Sequence, residues 1–258
     1  MSTVDVAGRY GPAAGPRVEV VLVYQSLLGI YGDRGNATVL ARRLAWRGYD
    51  AVLTVVEPGQ PLPDTGQVYL LGGGEDAAQV TAVRALQADG GLHRAVDRGA
   101  VVFAVCAGYQ IVGRSFTVAD SSAPDSDREI EGLGLLDVTT TRGPVRAVGE
   151  ILSRWRGHEG EDALLSGFEN HGGYTRLGPD ATPLADVETG IGNCGDGTEG
   201  AVAGTVVGTY PHGPVLARNP ALADHLLALA LGTELEPLPR PEIAELRRQR
   251  LAAVRRAR

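Results

Sequence analysis

Three short segments of this chain hold residue types suited to acyl-transfer chemistry. The first is AVVFAVCAGYQ at 100–110, an apolar run that ends on Cys106 and continues into Ala107 and Gly108. A side chain at a sharp strand-to-helix turn projects above the sheet, and small residues after it leave room for the turn. The first N–H groups of the following helix lower a thiol pKa and stabilise an oxyanion. This is the logic of a nucleophile elbow with Cys in place of Ser; a plain buried core cysteine is the competing structural reading. The second segment is QVYLL, which runs into Gly72, Gly73 and Gly74. Glycines at a strand's C-terminal end permit close backbone approach and oxyanion donation. The spacing is neither a dinucleotide fingerprint nor a phosphate loop, which would need a following Lys. The third is TYPHGP, with His212 in a loop just after an apolar run. A Cys nucleophile with a His base is an acyl-transfer pair. Among the five histidines His212 is the first candidate base and His171, in GFENHGGY, the second. His93 and His225 fall in helical runs, and His158 lies in a charged loop.

The surrounding pattern says what must hold these residues. Apolar runs at 18–24, 51–57, 67–71 and 100–105 read as buried strands. Helical stretches follow at 36–48, at 76–98 with an interruption at Gly90 and Gly91, just beyond Cys106, and at 219–231. This alternation predicts an α/β fold, an open and mostly parallel sheet flanked by helices on both faces. The middle differs. A polar connection at 121–132 precedes short β-like runs near 135–140, 145–153, 164–168 and 173–177, which predict additional antiparallel β elements. Residues 201–210 read as a hairpin returning to the core. The expected organisation is a flexible segment at 1–17, one domain at 18–232 and a basic tail at 233–258. The tail can form a helix with Leu246, Leu251 and Val254 on one side, but so thin an apolar face favours a solvated tail.

Composition narrows the function classes. The 258 residues are 43% hydrophobic and 21% charged, enough for a sizeable core. The net charge is −7, every basic residue is Arg, and seven of the arginines lie at 240–258. The acidic remainder argues against sequence-independent nucleic-acid binding. Cys106 and Cys194 are the only cysteines, too few for a disulfide framework or a Cys-based zinc site. Cys194, in IGNCGDG, reads as structural. No apolar stretch reaches membrane-spanning length and the N-terminus has no signal-peptide core, so a cytoplasmic setting is expected. No Walker loop is present, and no cofactor or metal is expected in this chain.

Together, Gly72–Gly74, C-A-G-Y-Q at 106–110 and T-Y-P-H-G-P at 209–214 resemble the class I glutamine amidotransferases, in particular the branch related to cobyric acid synthase. The likeness spans roughly residues 18–232. YGDRGN at 31–36, GFENHGG at 167–173 and YPHGPVLARNP at 210–220 are similar to the cell-wall members of that branch, glutaminase subunits working beside a Mur ligase-like catalytic subunit. The resemblance implies that Cys106 attacks the carboxamide of L-glutamine, that Gly73 and the Ala107 N–H hold the oxyanion, and that His212 moves the proton. The ammonia would pass within a heterodimer to the ligase. With ATP and Mg of its own, the ligase would amidate the D-glutamate α-carboxylate of lipid II to D-isoglutamine.

One departure from the wider class stands out. Where that class places Glu two residues after the histidine, this chain has Pro214. The cobyric acid synthase branch resembles it in this, and the orienting group is left open; Glu169 is a candidate support. Arg142 and Gln110 are candidate glutamine contacts, with Arg128 and Arg146 competing for the α-carboxylate. Asp33 and Arg34 are expected near the active-site edge, touching glutamine or the ligase, or supporting a turn. Corrinoid amidation, a cysteine hydrolase of related fold and a noncatalytic interaction module are the alternatives.

Overall fold

Strands rich in Val and Leu without polar alternation need cover on both faces. The computed structural model, which describes residues 2–5, 15–29, 32–119 and 126–256, provides it. Strands β1 (Ser2–Asp5) and β2 (Arg17–Val23) lead to helices α1 (Gln25–Leu28) and α2 (Arg34–Trp46). Next come β3 (Asp50–Val56), β4 (Val68–Leu71), α3 (Asp76–Asp89), α4 (Gly91–Asp97) and β5 (Val101–Val105). The interruption expected at Gly90 is the boundary between α3 and α4, where Gly90 takes a left-handed conformation. Every residue of β4 and β5 is buried, and successive side chains point to opposite faces, so the sheet is covered on both.

After β5 come α5 (Ala107–Ile111), β6 (Ser115–Ala119), β7 (Asp127–Glu131), β8 (Val138–Trp155), β9 (Leu164–Leu177), β10 (Ala185–Thr189), β11 (Thr198–Glu199), β12 (Ala201–Ala203) and β13 (Val206–Thr209). Helices α6 (Val215–Arg218), α7 (Pro220–Leu231) and α8 (Pro241–Arg256) complete the order. The first sheet runs β1-β3-β2-β4-β5-β13-β12. Its five inner strands are parallel, and β1 and β12 pair antiparallel at the two edges. Part of the segment read as flexible thus contributes an edge strand; residues 6–14 lie outside the described residues.

The second sheet has the order β11-β10-β8-β6-β7, with β9 also paired to β8. The four short runs expected here are in fact parts of two long antiparallel strands, β8 and β9. Gly and charged residues did not end them, because the register shift between Arg142 and Ala147 absorbs the irregular stretch as a bulge. One buried apolar cluster joins the two sheets, from Val20 and Phe103 to Phe116, Trp155 and Ala185.

The tail takes the helical form that the sequence allowed, but it is docked and not solvated. Leu251 and Val254 are buried against Leu152 of β8 and Leu164 of β9, while Leu246 is exposed. None of the described helices is long and apolar enough to cross a membrane.

Candidate active site

At the C-terminal end of β5 the backbone turns sharply at Cys106, with φ 53° and ψ −106°. A non-glycine residue pays strain there, which the surrounding structure must impose. The Cys106 N–H donates to the Thr209 carbonyl (2.9 Å), tying the turn to the end of β13. The Gly108 N–H donates to the Gly72 carbonyl (3.1 Å), and a Cβ on Gly108 would come within 2.7 Å of the Leu71 side chain. Gly108, two residues after the cysteine, is therefore what lets α5 start beside the glycine triplet. Ala107 opens that helix, where N–H groups lack intrahelical acceptors.

Beyond β13 the chain reaches His212, which exchanges two backbone hydrogen bonds with Phe168 of β9 (3.1 and 2.9 Å). Its Nδ1 lies 3.4 Å from Oδ1 and 3.3 Å from Oδ2 of Asp33, both side chains being almost fully buried. Cys106 is the imidazole's second side-chain partner. Burial opposes the imidazolium, but the hydrogen bond to Asp33 and the neighbouring Cys106 sulfur, with the charges of both groups, raise the His212 pKa to about 10. The carboxylate orienting the histidine is therefore Asp33, 179 residues earlier in the chain.

Two distant motifs meet to build this pair. A Cβ on Gly35 would collide with the Pro214 ring, and Asn36 Oδ1 accepts the Leu216 N–H (3.0 Å). The segment around Asp33 is thus locked onto the one around His212. Tyr31 of YGDRGN lies outside the described residues.

The other candidates have different partners. Glu169 does not reach His212; its oxygens accept the N–H groups of Ile191 (2.8 Å) and Gly192 (3.0 Å), with Oε2 3.8 Å from His171 Nε2. The Gly73 N–H donates to Asp33 Oδ2 (2.8 Å), so the expected oxyanion donor is engaged by the carboxylate that also orients His212. Gln110 lines the cavity, but its amide is committed to the protein: Nε2 donates to the Tyr210 hydroxyl (3.2 Å), and Oε1 accepts from Gln79 (2.8 Å). That makes it a brace between α3 and the segment that leads from β13 to His212. Buried Glu199 does similar work, accepting from Thr209 Oγ1 (2.9 Å) and the Tyr210 N–H (2.8 Å), and burial lifts its pKa to about 7.

A cavity of about 350 Å³ opens over Cys106. Glu75 and Asp76 reach it from the start of α3, and Arg142 and Arg146 from the β8 bulge. Arg142 pairs with Asp127 of β7 (2.9 Å), whereas the Arg146 Nε donates to Asn170 Oδ1 (2.9 Å), which leaves its charge without a carboxylate in that contact. Arg128 is not among the cavity's lining residues. Cys194 is half-buried and away from the cavity, with burial and then Asp196 raising its thiol pKa. The roles of Asp33, Gln79 and Glu199 were missed in the sequence. For Asp33 the available signal was its place inside YGDRGN.

Residues 19–220 match the CobB/CobQ-like glutamine amidotransferase domain. The chain is 32% identical to the GatD subunit of the glutamine-hydrolysing lipid II isoglutaminyl synthase of Staphylococcus aureus, over 81% of this chain and 84% of the relative. It is 31% identical to the corresponding subunit of Streptococcus pneumoniae, over 83% and 81%. Similarity to the cobyric acid synthase of Sphingopyxis alaskensis is 36% over 68% of this chain but only 34% of that longer protein. A solved glutamine amidotransferase superposes with a TM-score of 0.54 over 81% of this chain and 98% of the other, at 21% identity, a likeness of fold. With a cysteine elbow lining the cavity and a buried histidine paired with a carboxylate behind it, the chain belongs to the CobB/CobQ-like family as a class I glutamine amidotransferase domain related to the GatD subunit of lipid II isoglutaminyl synthase.

Proposed function

We propose that this chain hydrolyses L-glutamine through a Cys106 thioester and supplies the ammonia to a Mur ligase-like subunit that amidates lipid II. The observation that carries the reading is the buried Asp33–His212 pair beside Cys106, which itself lines a cavity bearing carboxylates from one element and guanidinium groups from another. A free amino acid has an ammonium and a carboxylate on one carbon, and such a cavity complements both.

Cys106 Sγ attacks the side-chain carbonyl carbon of glutamine as a thiolate paired with the His212 imidazolium. The C–N bond breaks as His212 protonates the departing nitrogen, and ammonia leaves. The neutral imidazole then takes a proton from water, whose oxygen attacks the thioester. Glutamate departs and the Cys106 thiolate is restored. Asp33 holds the ring so that Nε2 serves the reaction. The Ala107 N–H supports the oxyanion. The Gly73 N–H joins it only by exchanging Asp33 for the substrate oxygen. Arg146 is the better candidate for the α-carboxylate, since Arg142 is already paired with Asp127. ATP and Mg belong to the ligase, in a complex at the cytoplasmic side of the membrane.

The test combines the chain with its ligase and analyses the lipid-linked product by mass, supplying glutamine or ammonium, with native or Cys106→Ala protein. Glutamine should support amidation only with the native chain, and ammonium with both. Equal glutamine-driven product from the two proteins would overturn the reading.

A further inference from the structure

The docked tail helix α8 has a consequence for the His212 loop that the amidotransferase fold alone does not require. Arg247, in the middle of α8, is half-buried and makes four hydrogen bonds to the rest of the molecule. Nη1 donates to the Arg218 carbonyl (2.8 Å) and to Asn219 Oδ1 (3.2 Å). Nη2 donates to the carbonyls of Glu161 (2.7 Å) and Leu164 (2.6 Å). Burying a guanidinium is costly unless its donors are satisfied, and here neutral backbone oxygens take up most of them.

These acceptors sit where α6 ends and β9 begins, on either side of the base. Asn219 Nδ2 donates to the Ser166 carbonyl (2.8 Å), and Asn219 Oδ1 accepts the Ser166 N–H (2.9 Å), clamping the end of α6 to β9. Two residues further along β9, Phe168 makes the backbone pair with His212. From the other direction, the Arg218 side chain lies against Gly213, where a Cβ would come within 2.8 Å of its Nε. Glu150 holds that guanidinium (3.0 Å) and is itself gripped by Arg250 of α8. Two arginines of one helix therefore hold the segment that follows His212, one at its end and one through Arg218 beside Gly213, and Leu251 and Val254 anchor the helix beneath.

We propose that Arg247 is a positioning residue for the catalytic base, holding the His212 loop in register with Asp33 and Cys106. This inference rests on the proposed glutaminase chemistry, but it can be read without glutamine. The groups facing His212 are Asp33 and Cys106, with the Arg218 guanidinium beside the next residue. Losing register with the first two weakens the interactions that raise the histidine's pKa.

The experiment compares the full-length native chain with Arg247→Met, Arg247→Lys and the exposed control Arg255→Gln. It measures the rate of Cys106 alkylation by iodoacetamide against pH, and glutamine hydrolysis in the presence of the ligase. Arg247→Met keeps most of the stem packing and removes the donors. It should lower kcat about tenfold with KM changed less than about twofold, and move the histidine-dependent limb of the alkylation profile to lower pH. Arg247→Lys should fall between it and the native protein, and Arg255→Gln should match the native protein. If Arg247→Met does not fold, Arg247→Lys decides by the same two readouts. A folded Arg247 variant with native kcat and a native alkylation profile overturns the proposal. A native chain that hydrolyses no glutamine, with a displaced profile in the variant, would instead reject the glutaminase reading and leave the brace standing.

Discussion

Among the described residues two buried histidine–carboxylate pairs occur, and they are built differently. In the Asp33–His212 pair, Nδ1 faces the carboxylate at 3.3 Å and the ring's other partner is Cys106. In the Glu169–His171 pair, the closest approach is 3.8 Å, and His171 lines the wall of the cavity over Cys106. His171 uses Nδ1 on the Gly173 carbonyl (2.8 Å) and stacks on Tyr210 with ring centroids 3.6 Å apart. Glu169 uses its oxygens on the backbone of a turn. A carboxylate and an imidazole thus take different work according to where their remaining hydrogen-bonding positions are directed. The first pair spans two motifs at the C-terminal edge of a parallel sheet, where doubly wound folds place reacting groups. The second lies within one strand and helps stiffen a cavity wall.

The largest expected effect separates the cysteines that go with this difference. A glutamine-analogue electrophile should label Cys106 and spare Cys194, and Cys106→Ala should leave no measurable glutamine hydrolysis. Peptide mass mapping reads the first outcome, and labelling confined to Cys194 would place the nucleophile elsewhere. The two pairs can then be set against each other. His212→Ala should lower kcat by about a thousandfold and Asp33→Asn by about a hundredfold, within the range of general acid–base and orienting effects. His171→Gln should cost less than about tenfold while lowering the melting temperature, because it loses a stacked contact and not a proton carrier. Comparable kcat losses at His171 and His212 would erase the distinction.

The smallest effect is on stability. The folded pKa of His212, about 10, lies above its ordinary value of 6.5. Its contribution is therefore fully present below pH about 6.5 and is lost as pH rises through about 10. Urea midpoints of the native protein should fall over that window more steeply than those of His212→Gln. Parallel curves would mean that the ion pair contributes no pH-dependent stability.

Much of this arrangement was legible before any coordinates. The apolar run into Cys106, the glycine triplet and the loop around His212 are local signals, and each falls where expected. The break at Gly90 and the β12–β13 hairpin were legible for the same reason. The orienting carboxylate was not, since Glu169 looked nearer in character and Asp33 gains its role only through a contact across most of the chain. The long β8–β9 ladder was hidden because a bulge lets a strand continue through Gly143 and Pro144, residues that normally punctuate one. The tail was misjudged because its apolar face is thin; Arg247 docks it through backbone carbonyls, which no hydropathy pattern records.

Under the proposed chemistry, the turn at Cys106 sets stability and turnover at odds. A β-carbon at φ 53° is uncomfortable, and glycine would accept that geometry freely. Cys106→Gly could therefore outlast the native protein on heating while doing no chemistry. A screen scored on yield or thermal tolerance would drift toward glycine here, and only one that counts released ammonia would retain the thiol.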